Sequence, residues 1–171
     1  MVVLKGVAVA GSFVAMVTDL RHGKIYNWLT FPLIFSGWAV HAWLFGAAGL
    51  AASVGATCLG FALYLGFALV GVIGMGDVKL LGGVGAWGGW SFVVWVFLFA
   101  SVVSIPHALL IQYLNYGRDA LGMLMTSLMT GAFLRKSIQD ENRSSRYRFF
   151  LGLDILLGCL IAWFLAGRLP W

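Results

Sequence analysis

Residues 50–72 read LAASVGATCLGFALYLGFALVGV, a run without one charged side chain. A helix needs ~20 predominantly apolar residues to cross the hydrocarbon core of a bilayer. Backbone N–H and C=O groups in lipid must be satisfied internally, which leaves helices and closed barrels. A membrane barrel shows ~10-residue segments of alternating polarity, and this run does not alternate. It therefore predicts a transmembrane helix. Comparable runs flank it: Val2 to Thr18, apolar apart from Lys5; Trp28 to Phe45; Trp90 to about Tyr113, with Pro106 predicted to kink it; and Phe149 to Ala166. The first run resembles a signal peptide in its basic start, but it is long and has no A-x-A site before Asp19, so it reads as a retained span.

Composition points the same way. The chain has 171 residues, 61% hydrophobic and 10% charged, where soluble domains carry ~25% charge. So few charges cannot cover a water-facing surface. A soluble enzyme, a disordered regulator and a free nucleic-acid binder are excluded. Cys58 and Cys159 lie in apolar runs without a CxxC pair, giving neither a zinc site nor a disulfide framework. The 23 glycines suit closely packed membrane helices.

The breaks between runs organise the chain. Asp19 to Asn27 is the first polar break, with Asn27 a predicted N-cap. Gly46 to Gly49 and Gly88-Gly89 predict uncharged turns. The second polar break is Gly74-Met75-Gly76-Asp77-Val78-Lys79, followed by a short helix from Asp77 to about Trp87. Such a helix crosses only with a thinned bilayer, a tilted earlier start, or burial among its neighbours. Residues 115–148 hold most of the charge and, within them, Leu121 to Leu134 predicts a helix lying in the interface, the alternative being a short buried or re-entrant helix.

The expected fold is an all-α integral membrane protein of about six transmembrane helices. It forms one membrane-embedded domain over 1–171, with one short helix and one basic loop. Alternating crossings put Arg21, Lys24, Lys79, Arg118, Arg135, Lys136, Arg143, Arg146 and Arg148 on one side, and only Lys5 and Arg168 on the other. The basic side marks the cytoplasm. Both termini then face outward across the cell's inner membrane.

Three of the six acidic residues, Asp119, Asp140 and Glu141, sit in the basic loop as solvated partners of Arg and Lys. Asp19, Asp77 and Asp154 lie at or inside apolar spans, where a carboxylate is costly and marks function by default. The charge-derived topology sets Asp19 and Asp77 at one membrane face. Two carboxylates sharing a site do not both ionise easily, so one stays an acid while the other acts as a base. Such a pair can activate water against a peptide carbonyl and protonate the departing group. Gly74 and Gly76 let the backbone approach a substrate strand; the alternative is a helix start with Asp77 as N-cap. Asp154 pairs with Arg148 or Lys79, binds a basic substrate segment, or caps a polar pocket. Lys79 either tunes the pair or snorkels to the headgroups. No His-x-Glu or His-x-x-x-His spacing suggests a metal, and no serine has a convincing Lys or His partner.

Asp19 with Ile25-x-Asn27, followed by Gly74-Met75-Gly76-Asp77-Val78-Lys79-Leu80-Leu81, resembles the type IV prepilin peptidases. These are aspartic membrane proteases named for a Gly-x-Gly-Asp motif. The resemblance implies that Asp19 and Asp77 are the catalytic pair, with no cofactor. It implies a prepilin-like protein substrate, cut after a glycine at the cytoplasmic face to release its basic leader. Longer members carry a cysteine-paired cytoplasmic region linked to N-methylation; without a CxxC pair here, the short, peptidase-only branch of Flp-type pili or preflagellin-type relatives is the expected match, and no methyltransferase activity is expected. Two departures stand out: Tyr26 where the family often has proline, and no proline in Arg148-Phe-Phe-Leu-Gly-Leu-Asp154. A proton-coupled transporter subunit and a catalytically silent assembly protein are the competing readings. Both aspartates at one face and the absence of inverted repeats weigh against the transporter. The intact acid pair weighs against the silent protein.

Overall fold

A computed structural model describes residues 2–69, 73–116 and 150–165. Among these the chain is helical, with no strand. The elements are α1 (Val2–His22), α2 (Asn27–Leu69), α3 (Met75–Tyr116) and α4 (Leu151–Leu165). Three stretches are long and apolar enough to cross a membrane: α1, α2, and α3 as far as Ile111; α4 is a shorter apolar helix. The basic segment lies outside the described residues from 117 to 149, and with it the expected interfacial helix; so does Arg168.

α2 spans 43 residues, ~65 Å if straight, about twice the hydrocarbon thickness. It is not straight. Gly46 (φ 65°, ψ −154°) breaks it into arms 27–45 and 47–69. Gly89 (φ 80°, ψ −178°) breaks α3 into arms 75–88 and 90–116. Only glycine occupies this backbone region at low cost, and both breaks fall where the sequence placed uncharged turns. The arms of α2 fold back on each other: Trp38 Nε1 donates to Thr57 Oγ1 at 3.0 Å across 19 residues, a separation of ~28 Å along an unbroken helix. Pro106 sits within helical backbone; inside α3 the backbone leaves helical dihedral angles at Gly89 alone. A proline at this place thus leaves the helix running to Tyr116, and the sharp change of direction comes from glycine.

The short arm 75–88 lies at the centre. Residues 80–87 are all buried. Of the three ways to accommodate this helix, burial among neighbours is the one observed, and the helix begins at Met75, two residues before the expected Asp77. The packing is main chain to main chain. A Cβ on Gly60 would stand 2.6 Å from the Leu81 carbonyl oxygen, and one on Gly85 would overlap the Ala56 carbonyl. Small residues at such contacts are what let membrane helices associate closely. Polar side chains bind the same layers: Ser53 Oγ donates to the Ala86 carbonyl at 2.7 Å, and Trp87 Nε1 to the Leu33 carbonyl at 2.8 Å. The exterior is apolar, with Trp43 (89% exposed), Phe164 and Val102 turned outward, as a bilayer-facing surface requires.

This packing makes a stability prediction. Gly60→Leu forces a side chain into the Leu81 backbone and should cost at least ~2–3 kcal/mol through overpacking, whereas Gly6→Leu, with nothing within 4 Å of an added Cβ, should be near neutral. Thermal unfolding of the detergent-solubilised variants checks this. A Gly60→Leu variant as stable as the parent would contradict the contact.

Candidate active site

The buried residues of α1 are Ala8, Ser12, Ala15 and Asp19. Their spacing of three and four is one helical face, so Asp19 points inward because it continues the small-residue stripe that packs the helix. Higher on that stripe, Ser12 Oγ lies 3.4 Å from Cys159 Sγ of α4. Lower down, Asp19 Oδ2 accepts the Gly152 amide at 3.1 Å. Gly152 lies in the first turn of α4, where N–H groups lack intrahelical partners and favour negative charge. A Cβ there would stand 2.9 Å from Oδ2, so glycine is what lets the carboxylate reach the helix end. α1 then stops: the Gly23 amide donates to the Asp19 carbonyl at 2.7 Å, with Gly23 at φ 64°, a left-handed C-terminal cap.

Asp77 stands three residues after Gly74. The Gly74 amide donates to Asp77 Oδ2 at 3.2 Å and the Asp77 amide to the Gly74 carbonyl at 3.1 Å. The first bond is the N3-to-N-cap half of a capping box; the second is backbone to backbone, since Gly74 has no side chain. Asp77 is therefore not the N-cap but the acidic residue that reaches back to it. Its other oxygen, Oδ1, is buried and has no hydrogen-bond partner among the described residues. Gly76, beside Asp77, touches Ile25, in the connection that leaves the Asp19 end of α1, and Asp154 stands in the first turn of α4, two residues after the amide that Asp19 accepts. Thus carboxylates from α1, α3 and α4 face one region at the same end of the bundle.

The two polar breaks are fastened together. A Cβ on Gly76 would stand 2.9 Å from Ile25 Cβ and 3.1 Å from its carbonyl oxygen, so Gly76 faces the α1–α2 connection. Lys79 Nζ donates to Asn27 Oδ1 at 2.8 Å and lies 5.2 Å from the Phe31 ring centroid. The expected N-cap role of Asn27 gives way to this contact: the Tyr26 carbonyl accepts from the Leu29 and Thr30 amides at 3.1 and 3.3 Å, and the Asn27 side chain is spent on Lys79. Gly74 is exposed; an added Cβ there would meet chiefly Asp77 Oδ2.

Asp154 is fully buried, and its partners among the described residues lie on α3. Lys79 is engaged with Asn27, and Arg148 lies outside the described residues. Instead Ser104 Oγ donates to Asp154 Oδ2 at 2.9 Å, and His107 Nδ1 lies 2.8 Å from Oδ1. Ser104 and His107 are one turn apart on α3, so one face meets α4. Sequence reasoning missed Ser104, His107 and Gly152. The Ser104-x-x-His107 spacing on an apolar helix was a signal for the first two; nothing marked Gly152 apart from the other glycines. Among the described residues no three His, Cys, Asp or Glu side chains converge in a metal-holding group. A cavity of about 220 Å³ lies at the opposite end of α1, lined by Lys5, His41 and Trp87 among others and by neither catalytic candidate.

A donor-stabilised carboxylate beside a second one with a vacant oxygen can take a proton from water and deliver another elsewhere. Comparison with known proteins bears on that chemistry. Residues 6–109 match the model of the type IV leader peptidase family, a stretch that includes Asp19 and Asp77 but ends before α4. Two curated relatives, both described as prepilin leader peptidase/N-methyltransferase, come from Burkholderia pseudomallei strains 1026b and K96243. Each is 38% identical over 92 residues, covering 50% of this chain and 30% of the relative. No solved structure matches. With its family match running across both aspartate motifs, the chain belongs to the type IV leader peptidase family.

Proposed function

We propose that this chain is a membrane aspartic endopeptidase that removes the basic leader from type IV prepilin-like precursors. Asp19 and Asp77 are its acid/base pair. The observation that carries the reading is the contact of Gly76 with Ile25, which packs the Asp77 loop against the chain that leaves the Asp19 end of α1. Two helices arrive from opposite directions, and each delivers a carboxylate to the same end of the bundle.

The six helical segments, 2–22, 27–45, 47–69, 75–88, 90–116 and 151–165, form the membrane domain, with the enclosed segment 75–88 reaching the interface at its Asp77 end. Arg21, Lys24 and Lys79 lie at that end, which supports reading the aspartates as facing the cytoplasmic side of the inner membrane. The prepilin's apolar stem enters among the helices while its basic leader stays with the anionic headgroups. The substrate strand runs past exposed Gly74. Gly76 and Lys79 serve it indirectly, by holding the Asp77 loop against Ile25 and Asn27. Asp154, held by His107 and Ser104, borders the far side of the same carboxylate cluster. Flp-type prepilins are the substrate class.

In the reaction the two carboxyls share one proton. The ionised carboxylate removes a proton from water as the water oxygen bonds to the scissile carbonyl carbon. The carbonyl π pair moves onto oxygen. As that tetrahedral species collapses, the C–N bond breaks and the nitrogen takes the proton of the other carboxyl. The pair titrates as a unit, so neither aspartate owns one role before substrate binds.

Asp19→Asn and Asp77→Asn should each reduce cleavage of a glycine-site prepilin in membranes by at least ~10³-fold, since each loses acid/base function, while the protein remains folded. Mass spectrometry of the products reads this directly. Cleavage retained by either folded variant would remove the dyad assignment, and no cleavage by the parent would favour the assembly-protein reading. A milder effect is expected from Gly76→Ala. The added Cβ pushes the Asp77 loop off Ile25, and a misplacement of ~1 Å costs up to ~10²-fold in rate. Gly66→Ala, with open space at its Cβ, should cleave like the parent in the same assay.

A further inference from the structure

The dyad accounts for the proton movements of hydrolysis but not for the negative charge on the former carbonyl oxygen. Peptidases place a hydrogen-bond donor there. The packing of segment 47–69 against segment 75–88 identifies one. Gly85 meets Ala56, and Gly60 meets Leu81. These antiparallel partners step by four residues on each side, one helical turn at a time. The next pair in the series is Tyr64 and Asp77.

Tyr64 is 4% exposed. Its ring is fixed edge-on against Phe97, with centroids 5.4 Å apart. The charges of Asp77 and Asp154 both act on it. Ser101 lies beside its hydroxyl without making a satisfactory hydrogen bond. Among the described residues, two buried side-chain polar atoms have no hydrogen-bond partner: Tyr64 Oη and Asp77 Oδ1. One is a donor and the other an acceptor, and the helix register sets their residues opposite each other. A buried polar atom left unpaired is a cost that folding ordinarily avoids. A phenylalanine would fill the same apolar space without it. The two atoms complement one reacting centre, in which a water gives up a proton and a carbonyl oxygen gains charge.

Resting on the peptidase reading above, we propose that Tyr64 is a third catalytic residue. Its hydroxyl donates a hydrogen bond to the scissile carbonyl oxygen as water adds to the carbonyl carbon, while Asp77 Oδ1 faces that water. The phenol keeps its proton throughout. It strengthens one hydrogen bond as the π pair moves onto oxygen, and relaxes it when the C–N bond breaks.

The test is Tyr64→Phe, which removes only the hydroxyl and preserves the Phe97 contact. The full chain is reconstituted in liposomes with a synthetic peptide bearing a basic leader, a cleavage-site glycine and an apolar stem. The parent and Asp77→Asn are run beside it. Loss of one oxyanion donor costs ~10²–10³-fold in kcat. A fall of that size is expected, with KM changed less than about threefold because the bond strengthens only in the transition state, and with an unaltered thermal midpoint. Tyr64→Phe cleaving at the parental rate would overturn the proposal and leave the dyad intact. A loss of rate that tracks a loss of thermal stability would also overturn it, by making the hydroxyl structural. A parent that cleaves no peptide would overturn the peptidase reading and this one with it.

Discussion

Segment 75–88 occupies the centre of the bundle because glycine lets it touch its neighbour backbone to backbone. Gly60 lies on the Leu81 carbonyl and Gly85 on that of Ala56. Such contacts have no side-chain layer to slip, so they set the height of one helix against the other. That height determines where Asp77 stands. With the segment buried over residues 80–87, its first turn is the part that reaches the polar end of the bundle, and the Gly74 amide holds the carboxylate there. Replacing the glycines with larger apolar residues would leave the hydropathy of the chain nearly unchanged and would remove the register.

The polar end is arranged around carboxylates that an apolar interior disfavours unless they are paired or hydrogen-bonded. Each is handled differently. Asp19 receives an amide from the first turn of α4. Asp154 is matched by Ser104 and His107. Asp77 has one oxygen engaged with Gly74 and the other unengaged among the described residues. That inequality matters for chemistry. A carboxylate fully used in holding the fold has no lone pair to spare for a substrate or a water. Of the three, Asp77 is the one with an oxygen vacant in a buried setting, and Tyr64 supplies the complementary donor opposite it.

Much of this was legible in the sequence. Charge-free runs announce helices in a chain this apolar, and Gly46 and Gly89 marked the reversals because no other residue takes those dihedral angles cheaply. Asp19 and Asp77 were legible as carboxylates placed where carboxylates are expensive. The partners were not. That Asn27 holds Lys79 rather than capping α2, and that Asp154 turns to His107 rather than to Lys79, depends on how helices distant in sequence are rotated against each other. Periodicity says which face is buried, but not what faces it. Gly152 could not be found at all, because the same residue that admits a carboxylate at α4 admits a neighbouring backbone elsewhere, and composition does not separate the two uses.

The central claim is that Asp19 and Asp77 face one another in the folded membrane protein. Cross-linking tests it most directly. The double variant Asp19→Cys/Asp77→Cys, with Cys58 and Cys159 replaced by alanine, would be treated in native membranes with a short bifunctional thiosulfonate. The pair Trp38→Cys/Thr57→Cys, whose parent side chains are hydrogen-bonded, serves as the positive control. Asp19→Cys/Ala47→Cys, from opposite ends of the bundle, serves as the negative one. The account predicts an intramolecular link between positions 19 and 77 and none between 19 and 47. A link at 38 and 57 without one at 19 and 77 would contradict it.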